Sequence, residues 1–301
     1  MFQSAFSDLD LARKNSPPTS TTIPARCKIL NLPWQADDVP NSSGARIHWI
    51  GDRSAKKVIF YIHGGGYGLS AFDGHVIFLA QCQEKLAAKG DGVVIAMLEY
   101  SLTKMVKYPT EFIQGVEAFR YILANGYKPG NIVIGGDSCG GNLAIAIMSI
   151  IAHPRPTFRP LSLSGPLAGV LLVSPWVSFS SDAQSFKDNK TKDIHMAPQM
   201  HEWARDFCTE TERDNYTEPI LANVGWWKGL QAKQILVLSG TYEIFLTDIR
   251  KFAQTLKEAG LNVTYVDCEM QVHIDCILDA QSGLEPGDMS HATWEWLERV
   301  Y

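Results

Sequence analysis

The sequence predicts an α/β fold in which a mostly parallel central sheet carries helices on both faces and a helical cap. Three observations carry this reading. Short apolar runs rich in β-branched residues recur along the chain, longer helical patterns separate several of them, and two stretches break the alternation. With 301 residues, 46% of them hydrophobic, the chain can bury one sizeable core and still carry a small accessory element.

The predicted strands are residues 58–63, 93–99, 131–135, 169–174, 234–239 and 262–267. Continuous apolar runs of this length suit strands covered on both faces, as in a parallel sheet. Val116, Phe119, Ile122 and Leu123 place an apolar stripe on a helix that stops at Asn125-Gly126. Ile249, Phe252, Ala253, Leu256 and Ala259 do the same, with Thr247 as the expected N-cap and Gly260 as the stop. Residues 143–152 are apolar all round, which predicts a helix buried on nearly every side. The segments about 1–44 and 177–232 fall outside the alternation and are expected to form the cap of a single domain spanning 1–301.

Charge and composition exclude several roles. A net charge of −5 without a long basic run gives no footprint for a phosphate backbone, so nucleic acid is not an expected partner. The longest apolar stretch, 143–152, is far short of the roughly 20 residues that span a bilayer. Asp8 and Asp10 stand where a secretory signal would carry basic residues, so the expectation is a cytoplasmic protein. The six cysteines are scattered and read as buried thiols, although Cys268 and Cys276 are close enough in sequence to bridge. No His, Cys, Asp or Glu group has metal-ligand spacing, and neither a metal nor another cofactor is expected. Oligomeric state is left open.

Two motifs carry chemistry. Residues 131–142 read as strand, abrupt turn and helix around Gly136-Asp137-Ser138-Cys139-Gly140. Small residues flanking Ser138 allow a tight turn that lifts its hydroxyl clear of the sheet, as a nucleophile requires, and the helix that follows points its positive end at the site. His63-Gly64-Gly65-Gly66-Tyr67 follows the strand 58–63 directly. Consecutive glycines let backbone N–H groups converge on the oxyanion of a tetrahedral intermediate.

With these two motifs in this order, the chain resembles the hormone-sensitive-lipase branch of α/β-hydrolases, which includes arylacetamide deacetylase-like and fungal steryl-acetyl-hydrolase-like esterases. The resemblance covers about 57–275. It extends to Glu99-Tyr100-Ser101-Leu102 with Tyr108-Pro109, similar to the family's Asp-Tyr-Arg-Leu and Tyr-Pro segment, and to Ser174-Pro175-Trp176 before the cap insertion. It implies Gly65, Gly66 and Cys139 as oxyanion donors. Tyr67, beside that loop, is the candidate substrate-binding residue.

A serine nucleophile needs a base and a carboxylate to orient it, and in this fold the order is serine, acid, histidine, each late member on a loop after a strand. Gly240-Thr241-Tyr242-Glu243 resembles the family's acid loop, which makes Glu243 the acid in preference to Asp248. His273, 30 residues on and after the last predicted strand, is the base. His63 is expected to brace the oxyanion loop, and His48, His75, His153, His195, His201 and His291 read as surface or satisfied core residues.

The chain departs from the family in four places. Cys139 replaces the usual alanine and reads as a packing residue contributing its N–H. The family's glycine before the histidine and Gly-Phe after it are absent, with Met270 and Ile274-Asp275 near those places. Thr103-Lys104-Met105 replaces Ala-Pro-Glu.

The implied activity is hydrolysis of an ester of a small or apolar molecule through an acyl-serine. A thioesterase, cyclase or acyl-transfer enzyme acting on a secondary-metabolite intermediate, as in some similar fungal hydrolases, would use the same residues. A non-catalytic receptor on this fold would lack the histidine. Phe179, Phe186, Met196, Met200, Trp203, Phe207, Trp226 and Trp227 either line an apolar pocket or form the cap's own core.

Overall fold

The computed structural model describes residues 9–90 and 92–301, so the first eight residues of the segment 1–44 lie outside the described part. Its strands are β1 (Trp34–Asp38), β2 (Arg46–Ile50), β3 (Lys57–Ile62), β4 (Val93–Glu99), β5 (Ile132–Asp137), β6 (Gly169–Val173), β7 (Ile235–Gly240) and β8 (Val263–Cys268). They form one sheet in the order β1-β2-β4-β3-β5-β6-β7-β8. The pairs β1–β2 and β2–β4 are antiparallel and all others parallel.

The six expected strands are present. The two unexpected ones form the antiparallel edge, and β1 corrects the assignment of 1–44 as cap, since residues 34–38 belong to the sheet. Its sequence, Trp-Gln-Ala-Asp-Asp, lacks apolar alternation because an edge strand buries little; Trp34, Gln35 and Asp38 are exposed. In β2, Arg46 and His48 interrupt the apolar run, yet His48 is buried because its ring reaches Glu99 at 2.8 Å and accepts from Trp34 at 3.2 Å.

The period of two along β3 separates the core into two layers. Val58, Phe60 and Ile62 face one cluster with Leu143, Ile147 and Phe119, whereas Ile59 and Tyr61 face another with Val76, Phe78 and Leu79. The first layer is closed by helices Thr110–Ala124 and Cys139–Ala152, the second by Asp73–Ala88 and Asp288–Val300. The central helix is buried from Cys139 through Ile150, in keeping with its all-apolar sequence. Helix Thr110–Ala124 also carries Glu111, fully buried with neither carboxyl oxygen partnered among the described residues. Burial pushes that carboxyl up to about 7.

Thr247 is not the N-cap of Leu246–Glu258; Phe245 holds that position. The Thr247 hydroxyl instead accepts the Ser185 N–H, joining the helix to the segment 177–232. That segment contains helices Gln184–Asp188, Ala197–Phe207 and Val224–Trp227. All six cysteines are buried and free. Among the described residues no helix is long and apolar enough to cross a membrane.

Candidate active site

Ser138 occupies the single residue between β5 and the helix Cys139–Ala152, with φ 52° and ψ −122°. Such a turn needs close backbone contact on both sides: a Cβ on Gly136 or Gly140 would run into the Ile62 carbonyl. The turn is fixed by Ser138 N–H donating to Val173 O at 2.9 Å and by Trp176 N–H donating to Ser138 O at 2.9 Å. The serine Oγ is buried without a hydrogen-bond partner among the described residues and faces a cavity of about 260 Å³.

His273 lines the same cavity from the loop after β8. Its Nδ1 lies 3.1 Å from Oε2 of Glu243, which follows β7, and both side chains are fully buried. Its Nε2 has no partner among the described residues and is the ring atom left for the serine. Burial lowers the His273 pKa from its ordinary value, against the raising influence of Asp193 and Asp137. Burial likewise pushes the Glu243 carboxyl up, opposed by the neighbouring Ser174 hydroxyl. A dry site thus keeps the imidazole neutral and ready to take a proton. Asp248 lies in the first turn of Leu246–Glu258, where burial pushes its carboxyl up to about 6, and it is not the carboxylate hydrogen-bonded to His273.

Asp193 ties the two late loops together. Its Oδ1 accepts the His273 N–H at 3.1 Å and its Oδ2 accepts the Ile244 N–H at 2.7 Å. Nothing in the sequence marks it, because one aspartate in a polar stretch has no spacing signal. Ser174 adds a second tie, its Oγ accepting the Ile274 N–H at 3.1 Å. His195, read from sequence as a surface or satisfied core histidine, is buried and also lines the cavity, its ring 4.7 Å from that of His273. Its Nδ1 is 3.1 Å from Gln199 Oε1, and burial followed by the charge of His273 pushes its pKa down to about 3.

The glycine loop follows β3, with Gly65, Gly66 and Tyr67 all at positive φ (102°, 58° and 59°). Gly64 N–H donates to Asp137 Oδ1 at 3.1 Å, and Asp137 also accepts from Tyr61 at 3.0 Å and meets His75 at 3.3 Å. Burial disfavours the Asp137 charge, but His75, His63 and Tyr61 outweigh it and hold the carboxyl below its usual range. His63 braces the loop through Nδ1, 2.8 Å from Gly64 O, and burial pushes its pKa down to about 4. Gly65 lines the cavity with Ser138, Gly66 lies under the indole of Trp203, and Cys139 opens the helix with its N–H at the helix's positive end. Burial pushes the Cys139 thiol up to about 12, so it is not a nucleophile.

The expectation for Tyr67 is corrected. Its side chain is buried behind the loop: the hydroxyl donates to Asn142 Oδ1 at 2.7 Å and the ring stacks on Phe207 at 4.1 Å. Of the eight aromatic and methionine residues weighed in the segment 177–232, Trp203 lines the cavity, while Phe207 packs on Tyr67 and Trp227 on Phe252. Among the described residues, no group of three or more His, Cys, Asp or Glu is arranged to hold a metal ion.

A mostly parallel sheet that carries a serine at its central strand-to-helix elbow, with an acid and a histidine on the loops of its last two strands, has the architecture of an α/β hydrolase. Residues 59–276 match a family model described as alpha/beta hydrolase fold, and the chain belongs to that family. It is 27% identical over 215 residues to an esterase of Acinetobacter venetianus, covering 70% of this chain and 65% of that protein. It is 24% identical over 249 residues to an acetyl-hydrolase of Streptomyces hygroscopicus, covering 81% of this chain and 77% of that one. Among solved structures, an esterase from the bacterial hormone-sensitive lipase family superposes with a TM-score of 0.70 at 22% identity, over 99% of this chain and 98% of the other. The chain is thus an α/β hydrolase, by family and by fold.

Proposed function

We propose that the chain is a serine hydrolase that cleaves carboxylic esters of small or apolar molecules. The observation that carries this is the Glu243–His273 pair at 3.1 Å, with His273 and Ser138 on one cavity. Ser138 Oγ attacks the ester carbonyl carbon as its proton passes to His273 Nε2. The carbonyl oxygen becomes an oxyanion, met by the N–H groups of Gly65, Gly66 and Cys139. Collapse breaks the carbon–oxygen bond to the alcohol, which leaves with the proton from His273. Water then attacks the acyl-serine, giving a proton to His273, and the acid departs as Ser138 regains its hydrogen. Glu243 holds the imidazole with its proton on Nδ1 and stabilises the imidazolium.

The cavity walls are Leu69, Phe72, Ile194, Trp203, Ile274 and Leu278, with a volume of about 260 Å³. An apolar space of this size, near the lower end for small-molecule pockets, favours a short acyl or alcohol group. The similarity to an esterase and an acetyl-hydrolase supports the same class of substrate. The receptor reading has no support here, because His273 is present and paired. Six buried free thiols favour the cytoplasmic reading.

The test is hydrolysis of short p-nitrophenyl esters together with labelling by a fluorophosphonate, mapped by mass spectrometry. Turnover and an adduct on Ser138, both lost in Ser138→Ala, are expected. Folded protein that does neither overturns the proposal.

A further inference from the structure

We propose that Cys139 and Tyr100 are positioning residues that hold both ends of the oxyanion loop against the nucleophile elbow. This rests on the esterase reading above. The Tyr67 N–H donates to Cys139 Sγ at 3.1 Å. The Tyr100 hydroxyl lies 3.7 Å from the same sulfur and donates to the His63 carbonyl at 2.9 Å. With its own proton given to His63, the Tyr100 oxygen is left to accept the S–H. A single hydrogen-bonded chain therefore runs from Tyr67 N–H through the thiol and the phenol to the His63 carbonyl.

His63 and Tyr67 are the residues immediately before and after Gly64-Gly65-Gly66. Three glycines have no side chains by which to be held, so the direction of their N–H groups depends on how the loop's ends are fixed. Asp137 already ties Gly64 from the residue before Ser138, and Cys139 does the corresponding work from the residue after it. All four members of the chain are buried, so losing one contact leaves a buried polar group short of a partner. The Tyr100 ring also stacks on His63 at 4.5 Å, which sets the phenol's angle. Alanine at 139 would keep the N–H that faces the oxyanion and lose both side-chain contacts.

The experiment compares Cys139→Ala, Cys139→Ser, Tyr100→Phe and the Ala/Phe double variant, each checked by thermal melting. It measures kcat and KM for a short p-nitrophenyl ester and the affinity of an alkylboronic acid, which forms a tetrahedral adduct with the serine. A poorly aimed donor should lower kcat about 10-fold in Cys139→Ala, with boronate affinity falling in parallel and KM within about two-fold. Serine at 139 restores part of the loss, because its hydroxyl can still accept and donate. The double variant should be no worse than about three-fold below the weaker single, because one chain is broken either way. Tyr100→Phe keeps the ring stack and tests the same chain if the alanine variant does not fold. A parent enzyme that is active and labelled at Ser138, with Cys139→Ala or Tyr100→Phe unchanged in kcat and boronate affinity, overturns the positioning role alone. A parent that neither cleaves esters nor is labelled overturns the esterase reading, and the positioning role with it.

Discussion

Gly66→Ala should cripple turnover through a collision rather than through any lost side chain. Gly66 has φ 58°, and a Cβ built on it falls within the indole of Trp203, onto Cε3, Cδ2 and Cζ3. Trp203 is 1% exposed in the helix Ala197–Phe207, so the ring cannot swing into solvent. The left-handed conformation costs alanine about 1–2 kcal/mol, and relief of the overlap must move the helix, the glycine loop, or the indole into the cavity it lines. If the loop moves, the N–H proposed as an oxyanion donor is misplaced, and loss of such a donor is worth about 10²- to 10³-fold in kcat. The assay is kcat and KM on a short p-nitrophenyl ester, beside the thermal midpoint. Gly66→Ala/Trp203→Leu removes the collision but also widens the cavity that Trp203 lines, so it is compared with Trp203→Leu alone: adding Gly66→Ala to Trp203→Leu should cost at least about 10-fold less in kcat than adding it to the parent. Gly66→Ala with kcat within about three-fold of the parent, or the same loss on adding Gly66→Ala to Trp203→Leu as to the parent, would refute the reasoning.

Other consequences follow from buried charge. The pH profile of kcat/KM should rise through one ionisation below the ordinary histidine value of 6.5 and then level off, because burial favours neutral His273 and the neutral form is the base; a midpoint above 7 would contradict the environment described. Glu111, held at about 7 against 4.5 in an exposed chain, favours the fold only while protonated. That contribution is complete below pH 4.5 and is lost as pH rises to about 7, on the order of 3 kcal/mol in all. Glu111→Gln should therefore raise the melting temperature at pH 8 and leave it nearly unchanged at pH 4, and equal shifts at both would show that ionisation is not the cause. Asp193→Asn removes one of two acceptors that join the Glu243 and His273 loops, so kcat should fall about 10-fold with little change in KM. A changed KM with constant kcat would place Asp193 in substrate binding instead.

The parallel strands were legible because burial on both faces leaves continuous apolar runs, as in β3 and β5. The edge was not, since β1 is mostly exposed and its pairing with β2 depends on register rather than composition. Ser138, Glu243 and His273 were legible because each is announced by the strand preceding it, and the structure brings all three to one place. Asp193 and His195 enter from the segment 177–232, where neither is preceded by a strand or a glycine turn that would fix its direction, and only the packed fold brings them to His273. Tyr67 was placed near the chemistry by its neighbours, but its hydroxyl is held by Asn142 and its ring by Phe207, partners 75 and 140 residues away that sequence adjacency does not encode.

Ile274 follows His273 at φ 51° and ψ 34°, the left-handed region where a β-branched residue is costly, and its side chain forms part of the cavity wall. One position therefore governs two properties that are separate in most pockets. Glycine there would relax the histidine loop and widen the space beside Ser138 in the same step, whereas valine would keep the strain and change the wall by one methylene. A substitution series at 274 separates the ease of holding the base from the room left for the substrate, and makes this residue the first choice for shifting the enzyme toward bulkier esters.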